Sequence, residues 1–202
     1  MRAFTRITGV VIATGLCGMG SQPAVADDAT AIVTTVCVAC HGADGNSVAP
    51  MFPKLAGQRP EYLAKQLKEF LASKRKNEIM APMIASLKGD DVPGLAAYFS
   101  AQKPVPAGVA DSKLAEAGKK IYDDGNEESG VPACVGCHQA NAAGNEQFPR
   151  LAGQFQAYTL QQLADFKAGV RTNDKGKLMR VVAGRMTDDE MKAVAEYLAG
   201  LN

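Results

Sequence analysis

The chain has almost no net charge, no long apolar stretch beyond its first residues, and only two histidines. Its 22 basic and 21 acidic residues give a formal charge of +1 over 202 residues. Proteins that bind nucleic acid use an excess of lysine and arginine to contact phosphates, which this chain lacks. After residue 26 no apolar run approaches the roughly 20 residues that cross a bilayer. We therefore expect a mature protein that neither binds nucleic acid nor spans a membrane.

The first 26 residues have the organisation of an export signal. Arg2 and Arg6 precede a mostly apolar stretch over residues 7–19, and a small-residue sequence, Ala-Val-Ala, ends at Ala26. A basic, then apolar, then A-x-A order is typical of a cleaved secretory signal peptide. We therefore expect residues 1–26 to be removed and Cys17 to be lost with them.

The four remaining cysteines form two motifs of identical spacing. The sequence reads CVACH over residues 37–41 and CVGCH over residues 134–138, and these motifs contain both histidines of the chain. C-x-x-C-H is the attachment signature of c-type haem. Side chains three residues apart share one face of a helix, so both thiols can reach the same porphyrin. The next residue can then bind the iron. The predicted haem-binding residues are Cys37, Cys40, Cys134 and Cys137, with His41 and His138 as iron ligands.

Three other uses of these cysteines fit the sequence less well. A disulfide is possible in an exported protein but does not require a histidine at the same place twice. A zinc site needs four ligands, and each motif offers only three. A thioredoxin-like redox pair is expected near a βαβ pattern, which the sequence does not show.

The haem motif belongs to a longer internal repeat. FPKLAGQ over residues 52–58 recurs as FPRLAGQ over residues 148–154, at an offset of 96 residues. The offset later becomes 99, which indicates a short insertion near residues 174–176. The repeat predicts two homologous domains, residues 27–101 and 112–202. The connecting residues 102–111 contain two prolines, which favour a semi-rigid link.

Each half is predicted to be helical, so the fold class is all-α. Apolar residues recur at helical spacing and no convincing alternating strand is present. Helices are predicted over residues 29–37, 60–72, 90–101, 112–122, 156–168 and 188–199. Domains of this size bury little apolar surface by themselves, so we expect the haem to act as the core and the apoprotein to fold poorly.

No histidine remains for the far side of either iron, so a methionine thioether is the natural sixth ligand. The repeat pairs Met80 with Met179, and we expect both in polar loops before the last helix of each half. Met83 and Met186 are rival candidates for the sixth ligand, but neither has a methionine at the matching position, so an interpretation as core filler is favoured. Met51 lies too close to the first motif to reach the opposite face and is interpreted as packing.

Two prolines recur behind the histidines. Pro53 follows His41 by 12 residues and Pro149 follows His138 by 11. The carbonyl of either proline could accept a hydrogen bond from the imidazole N–H, which would orient the ring and raise its basicity.

The duplicated C-x-x-C-H, the F-P-[KR]-L-A-G-Q loops, the R-x-N…M segments and the proline-containing link resemble the cytochrome c4 family. The resemblance covers essentially the whole mature chain. It implies two tandem class I cytochrome c domains with their haem edges close together, in the bacterial periplasm. It also implies His–Met ligation at both irons and electron delivery to a terminal oxidase. The family often has a glycine where the first helix crosses the last; Gly118 fits this place in the second half, and Thr30 stands near it in the first.

Filled axial positions on both irons would leave no site for oxygen or peroxide, so an electron carrier is predicted rather than an enzyme. Its expected partners are a respiratory donor and a terminal oxidase, with at most peripheral membrane association. A dihaem peroxidase is the alternative, and it would need one open iron face. A haem subunit of a larger redox complex is a further alternative. By their position in the repeat, Arg75 and Arg171 are candidate partners of the haem propionates.

Overall fold

The computed structural model describes residues 25–202, and the predicted signal lies outside the described residues except for its last two positions. The secondary structure of residues 25–202 is helical, apart from one antiparallel bridge between Asn126 and Val131. None of the helices in this range has the length and apolar character needed to span a bilayer. The helices are α1 (Val25–Ile32), a π-helical turn (Val33–Cys37), α2 (Val38–His41), α3 (Pro60–Leu71), α4 (Met80–Ile84), α5 (Asp91–Ser100), α6 (Ser112–Asp124), α7 (Val135–His138), α8 (Gln156–Lys167), a 3₁₀ turn (Lys175–Lys177), α9 (Leu178–Arg185) and α10 (Asp188–Gly200).

The two halves repeat one arrangement of three helices. In the first half α1 and α3 pack on α5, and in the second half α6 and α8 pack on α10. Each set encloses its own apolar core. Val33, Leu95 and Phe99 are buried in the first core. Tyr122 and Leu198 are buried in the larger second core. The predicted all-α fold is therefore confirmed.

The first and last helices of the second half cross at Gly118. A Cβ at this position would lie 1.9 Å from the carbonyl oxygen of Ala193, so only glycine allows the two backbones to approach this closely. In the first half α1 packs on α5 in the same way, and Ala29 is buried in the same core cluster as Leu95, whereas Thr30 is exposed.

The prediction that Met80 and Met179 lie in loops is wrong, because each belongs to a short helix. Met80 begins α4, and Met179 is the second residue of α9. The side-chain oxygen of Asn77 accepts hydrogen bonds from the N–H groups of Ile79 and Met80 at 3.1 and 2.8 Å, which stabilises the start of α4. Pro82 falls in the first turn, where a helix does not need the N–H that proline lacks.

The connecting residues 102–111 lie against both halves. The amide of Val105 donates to the side chain of Asn46 at 2.8 Å. The amides of Ala107 and Gly108 donate to the carbonyls of Gly153 and Ala199 at 3.1 and 3.0 Å. These bonds hold the connection in one path, so the halves are fixed side by side.

Candidate functional site

Both C-x-x-C-H motifs line one continuous cavity of about 490 Å³ that extends through the two halves. Cys37 ends the π-helical turn, and Cys134 precedes α7 directly, so each motif closes in a short helix that ends at its histidine. No two of the four cysteines in the described chain form a disulfide with each other. Burial raises the pKa of the Cys37 and Cys134 thiols to about 11, so both are neutral at ordinary pH.

Each histidine is held by the carbonyl of the proline that the repeat singled out. The distance from His41 Nδ1 to the oxygen of Pro53 is 2.9 Å. The distance from His138 Nδ1 to the oxygen of Pro149 is 3.0 Å. A carbonyl can only accept, so Nδ1 carries the proton and Nε2 keeps its lone pair. Burial lowers the pKa of both histidines, and the bond to the proline carbonyl offsets part of that effect.

The five candidate methionines occupy different environments. Met80 and Met179 are partly buried and line the cavity, each on the helix that precedes the last helix of its half. Met186 is 2% exposed and belongs to the second core, as expected. Met83 and Met51 are 38% and 67% exposed and belong to neither buried cluster, but both line the cavity. On α4 the buried residue is Ile84, and Met83 is one of the residues that line the cavity.

Two glutamines, which the sequence analysis did not single out, bridge the halves. Gln154 accepts a hydrogen bond from the amide of Lys54 at 2.9 Å and donates to the carbonyl of Lys54 at 3.0 Å. Gln58 makes the same pair of bonds with Arg150, both at 2.8 Å. The signal was present in the sequence, because both glutamines end the repeated F-P-[KR]-L-A-G-Q loop.

Arg75 lies in a polar cluster between the halves. Its guanidinium donates to Gln66 in its own half at 2.8 Å and to the hydroxyl of Tyr158 in the other half at 3.1 Å. It also lies over the ring of Phe70 at 4.7 Å. Arg75 lines the cavity, and its bonds to the other half show that it also joins the two domains.

Arg171 repeats this arrangement from the opposite side. It donates to Gln162 in its own half at 2.9 Å and to the hydroxyl of Tyr62 in the other half at 2.8 Å. Burial would raise the pKa of Tyr62, but the nearby guanidinium groups of Arg171 and Arg75 outweigh it and the pKa is lowered. The assignment of both arginines to haem propionates stays a prediction.

The donor set fits a covalently attached porphyrin better than a bare metal ion. The described residues contain no group of three or more histidine, cysteine or carboxylate side chains that could hold a metal. What they provide instead is two thiols and one oriented imidazole at each end of a large apolar cavity, which is what two haem c groups require.

Comparison with known proteins agrees with this geometry. The Cytochrome c family model matches residues 26–103 and 115–202. Cytochrome c4 of Thiocapsa roseopersicina is 49% identical over 170 residues, covering 83% of this chain and 88% of that protein. The crystal structure of reduced recombinant cytochrome c4 from Pseudomonas stutzeri superposes with a TM-score of 0.82 at 44% identity, covering 88% of this chain and 98% of that one. A thiosulfate dehydrogenase electron acceptor of Thiomonas intermedia is 42% identical, covering 81% of this chain and 77% of that protein.

The repeated fold, the paired motifs and these similarities lead to one conclusion. The chain belongs to the cytochrome c4 family: it is a dihaem electron carrier made of two tandem cytochrome c domains with two covalently bound haem c groups.

Proposed function

We propose that this protein carries electrons in the periplasm between components of a respiratory chain, toward a terminal oxidase. The first haem is attached through Cys37 and Cys40 in a domain spanning residues 27–101. The second is attached through Cys134 and Cys137 in a domain spanning residues 112–202. Residues 102–111 join them. The predicted signal over residues 1–26 supports export to the periplasm, and recovery of the protein in an osmotic-shock fraction tests this location.

The proposed iron ligands are His41 with Met80, and His138 with Met179. The observation that carries this proposal is the fixed Nδ1 proton of each histidine, which leaves Nε2 as the only ring nitrogen able to bind a metal. Both methionines border the same cavity as the histidines. Two protein ligands on each iron leave no open face for oxygen or peroxide, which supports transfer of electrons alone.

The bound haem would supply a ferrous–ferric couple. The residues around it would retain the haem and adjust its reduction potential. Thioether attachment prevents loss of the group, and a neutral thioether ligand favours the ferrous state. The proline carbonyls orient the imidazoles and raise their basicity, which favours the ferric state. Hydrogen bonds of Gln58 and Gln154 across the two halves would keep both groups in one assembly.

Absorption spectroscopy with a haem count tests the ligand assignment. The wild-type protein should hold two haems per chain and show the weak red band of iron–methionine bonding. Met80→Leu and Met179→Leu should each remove about half of that band, whereas the matched control Met83→Leu should keep all of it. A variant of Met83 that loses the band while Met80→Leu retains it would overturn the assignment.

Carbon monoxide and peroxide distinguish a carrier from a peroxidase. A protein with both irons fully ligated should bind carbon monoxide slowly in its reduced state and should not turn over peroxide. Rapid spectral change together with peroxide turnover would show that one iron has an exchangeable site.

A second candidate role is suggested by the similarity to thiosulfate dehydrogenase electron acceptors. In that role the protein would take electrons from a dehydrogenase rather than from a respiratory complex, with the same two haems. Stopped-flow reduction by a thiosulfate dehydrogenase, measured beside reduction by a quinol-oxidising complex, shows which donor reacts faster.

A further inference from the structure

In the first half, the peptide bond after Pro53 takes part in two hydrogen bonds at once. Its carbonyl accepts from Nδ1 of His41 at 2.9 Å. Its N–H, which belongs to Lys54, donates to Oε1 of Gln154 at 2.9 Å. A continuous chain of hydrogen bonds therefore runs from the histidine of the first domain, through one peptide group, to a side chain of the second domain.

The second half contains the same chain in the opposite direction. The carbonyl of Pro149 accepts from Nδ1 of His138 at 3.0 Å. The N–H of the same peptide, which belongs to Arg150, donates to Oε1 of Gln58 at 2.8 Å. Each domain thus supplies the glutamine that begins the series of hydrogen bonds leading to the histidine of the other domain.

The orientation of both glutamines is fixed by further bonds. Oε1 of Gln154 also accepts from the amide of Phe155 at 3.1 Å, and Oε1 of Gln58 also accepts from the amide of Arg59 at 2.9 Å. Each Nε2 donates to a carbonyl of the other half. The side chains of Gln58 and Gln154 are 7% and 9% exposed, so water does not compete freely for these bonds. The oxygen therefore faces the peptide N–H in both cases.

We propose that Gln154 tunes the reduction potential of the first haem, and Gln58 that of the second, each from the opposite domain. A peptide whose N–H donates a hydrogen bond has a more negative carbonyl oxygen, and such bonds strengthen one another along a chain. A stronger acceptor at Nδ1 makes the imidazole a better electron donor through Nε2, which stabilises ferric iron and lowers the potential. Gln58 and Gln154 are positioning residues that act through the histidines, and the inference rests on the proposed ligation by His41 and His138.

Redox titration of the full-length holoprotein, followed by NMR signals resolved for each haem, tests this crossed pattern. Gln154→Leu should raise the reduction potential of the haem bound by His41. At a fixed solution potential, its ratio of oxidised to reduced form should therefore fall about twofold. The haem bound by His138 should change much less. Gln58→Leu should do the reverse.

The control is Gln156→Leu, which also removes a glutamine bond to a backbone carbonyl. Nε2 of Gln156 donates to Gly108 at 2.8 Å, and this contact involves neither proline peptide. It should leave both potentials unchanged. If Gln154→Leu shifts the haem of its own domain, shifts both equally, or shifts neither, the inference is wrong.

Two further measurements keep the test independent of folding. Gln154→Asn shortens the side chain but keeps its polarity, so it should raise the same potential if Gln154→Leu does not fold. In the reduced wild-type protein, a scalar coupling between the Lys54 amide nitrogen and the Gln154 side-chain carbonyl should be detectable, and its absence would overturn the inference. Proton spectra of the same samples, in which the haem shifts the signals of the residues bound to iron, identify the axial ligands. Missing histidine ligation would refute the proposed function, whereas intact ligation without the crossed shift would refute only this inference.

Discussion

The residues that follow the two motif histidines have the same backbone conformation but different identities. Gly42 has φ 77° and ψ 156°, and Gln139 has φ 72° and ψ 160°. Residues with a side chain are strained in this region, which glycine occupies freely. The carbonyl of Gln139 accepts a hydrogen bond from the hydroxyl of Tyr122 at 2.7 Å, which helps to hold the strained conformation.

Gln139→Gly should therefore stabilise the protein. Release of about 1–3 kcal/mol of strain outweighs the entropic cost of glycine, about 0.5–1 kcal/mol, so the free energy of unfolding should rise by about 1 kcal/mol. Chemical unfolding of the holoprotein, followed by circular dichroism, measures the difference. The matched substitution Gly42→Gln should lower the free energy of unfolding, and a gain in stability from it would contradict the assignment of strain.

At the scale of helices, the crossing of α6 and α10 depends on Gly118. Gly118→Ala places a methyl group against the carbonyl of Ala193, so the helices must separate, and the free energy of unfolding should fall by about 1–3 kcal/mol. Gly184→Ala in α9 is the matched control, because a Cβ there meets nothing within 4 Å. That control should be neutral or slightly stabilising, since alanine favours helix. Equal losses from both variants would show that the crossing is not close.

The start of α10 is the better-capped of the two final helices. Thr187 and Glu190 form a capping box, and Glu190 also accepts hydrogen bonds from Asn126 and Ser129, both at 2.7 Å. Burial would raise the pKa of Glu190, but these bonds and the one from the Thr187 amide outweigh it, so its pKa is lowered. The ionised carboxylate therefore ties α10 to the loop that leads to the second haem motif.

Glu190→Gln should lower the free energy of unfolding by about 1–2 kcal/mol at neutral pH, because charge-assisted bonds become neutral ones. A group whose pKa is depressed by folding stabilises the native state in full above its ordinary pKa, about 4.3, and loses this effect as pH falls. The difference between wild type and variant should therefore shrink below that pH. Glu116→Gln on the exposed face of α6 is the control. A difference that grows in acid would contradict the assignment.

At the scale of the whole molecule, the cavity takes the place of much of the core. The cavity of about 490 Å³ is lined mostly by apolar surface from both halves, where a domain of this size would otherwise pack side chains against one another. We therefore expect the chain to need its haem groups in order to fold stably.

The chain produced without haem attachment should lose most of its helical circular dichroism and its cooperative thermal unfolding. The physical reason is that, without haem, the apolar faces of helices from both halves would be exposed to water instead of packing against the porphyrin. A variant that carries both Cys134→Ala and Cys137→Ala distinguishes the contributions of the two haems. It should lose helical structure in the second half before the first half is affected. Native helix content in the haem-free chain would contradict this expectation.

Local patterns in the sequence predicted the helices well. The predicted helix over residues 60–72 is α3, and the one over 156–168 is α8, because apolar residues at helical spacing form the face that packs on α5 or α10. The short helix α4 was missed because its start depends on the side chain of Asn77 rather than on apolar periodicity. The 3₁₀ turn at Lys175–Lys177 accounts for the insertion that the repeat indicated.

The sequence alone determined the cofactor class, because C-x-x-C-H places two thiols and one imidazole where a c-type haem is attached. Its duplication predicted two such sites, and the helical spacing of apolar residues predicted an all-α fold. Tertiary structure decided how the two sites are joined. Gln58 and Gln154 lie about a hundred residues from the peptides they bind, at separations of 92 and 100. Hydrogen bonds of this kind depend on the packing of one domain against the other, so no local pattern could show that each histidine is connected to the opposite half.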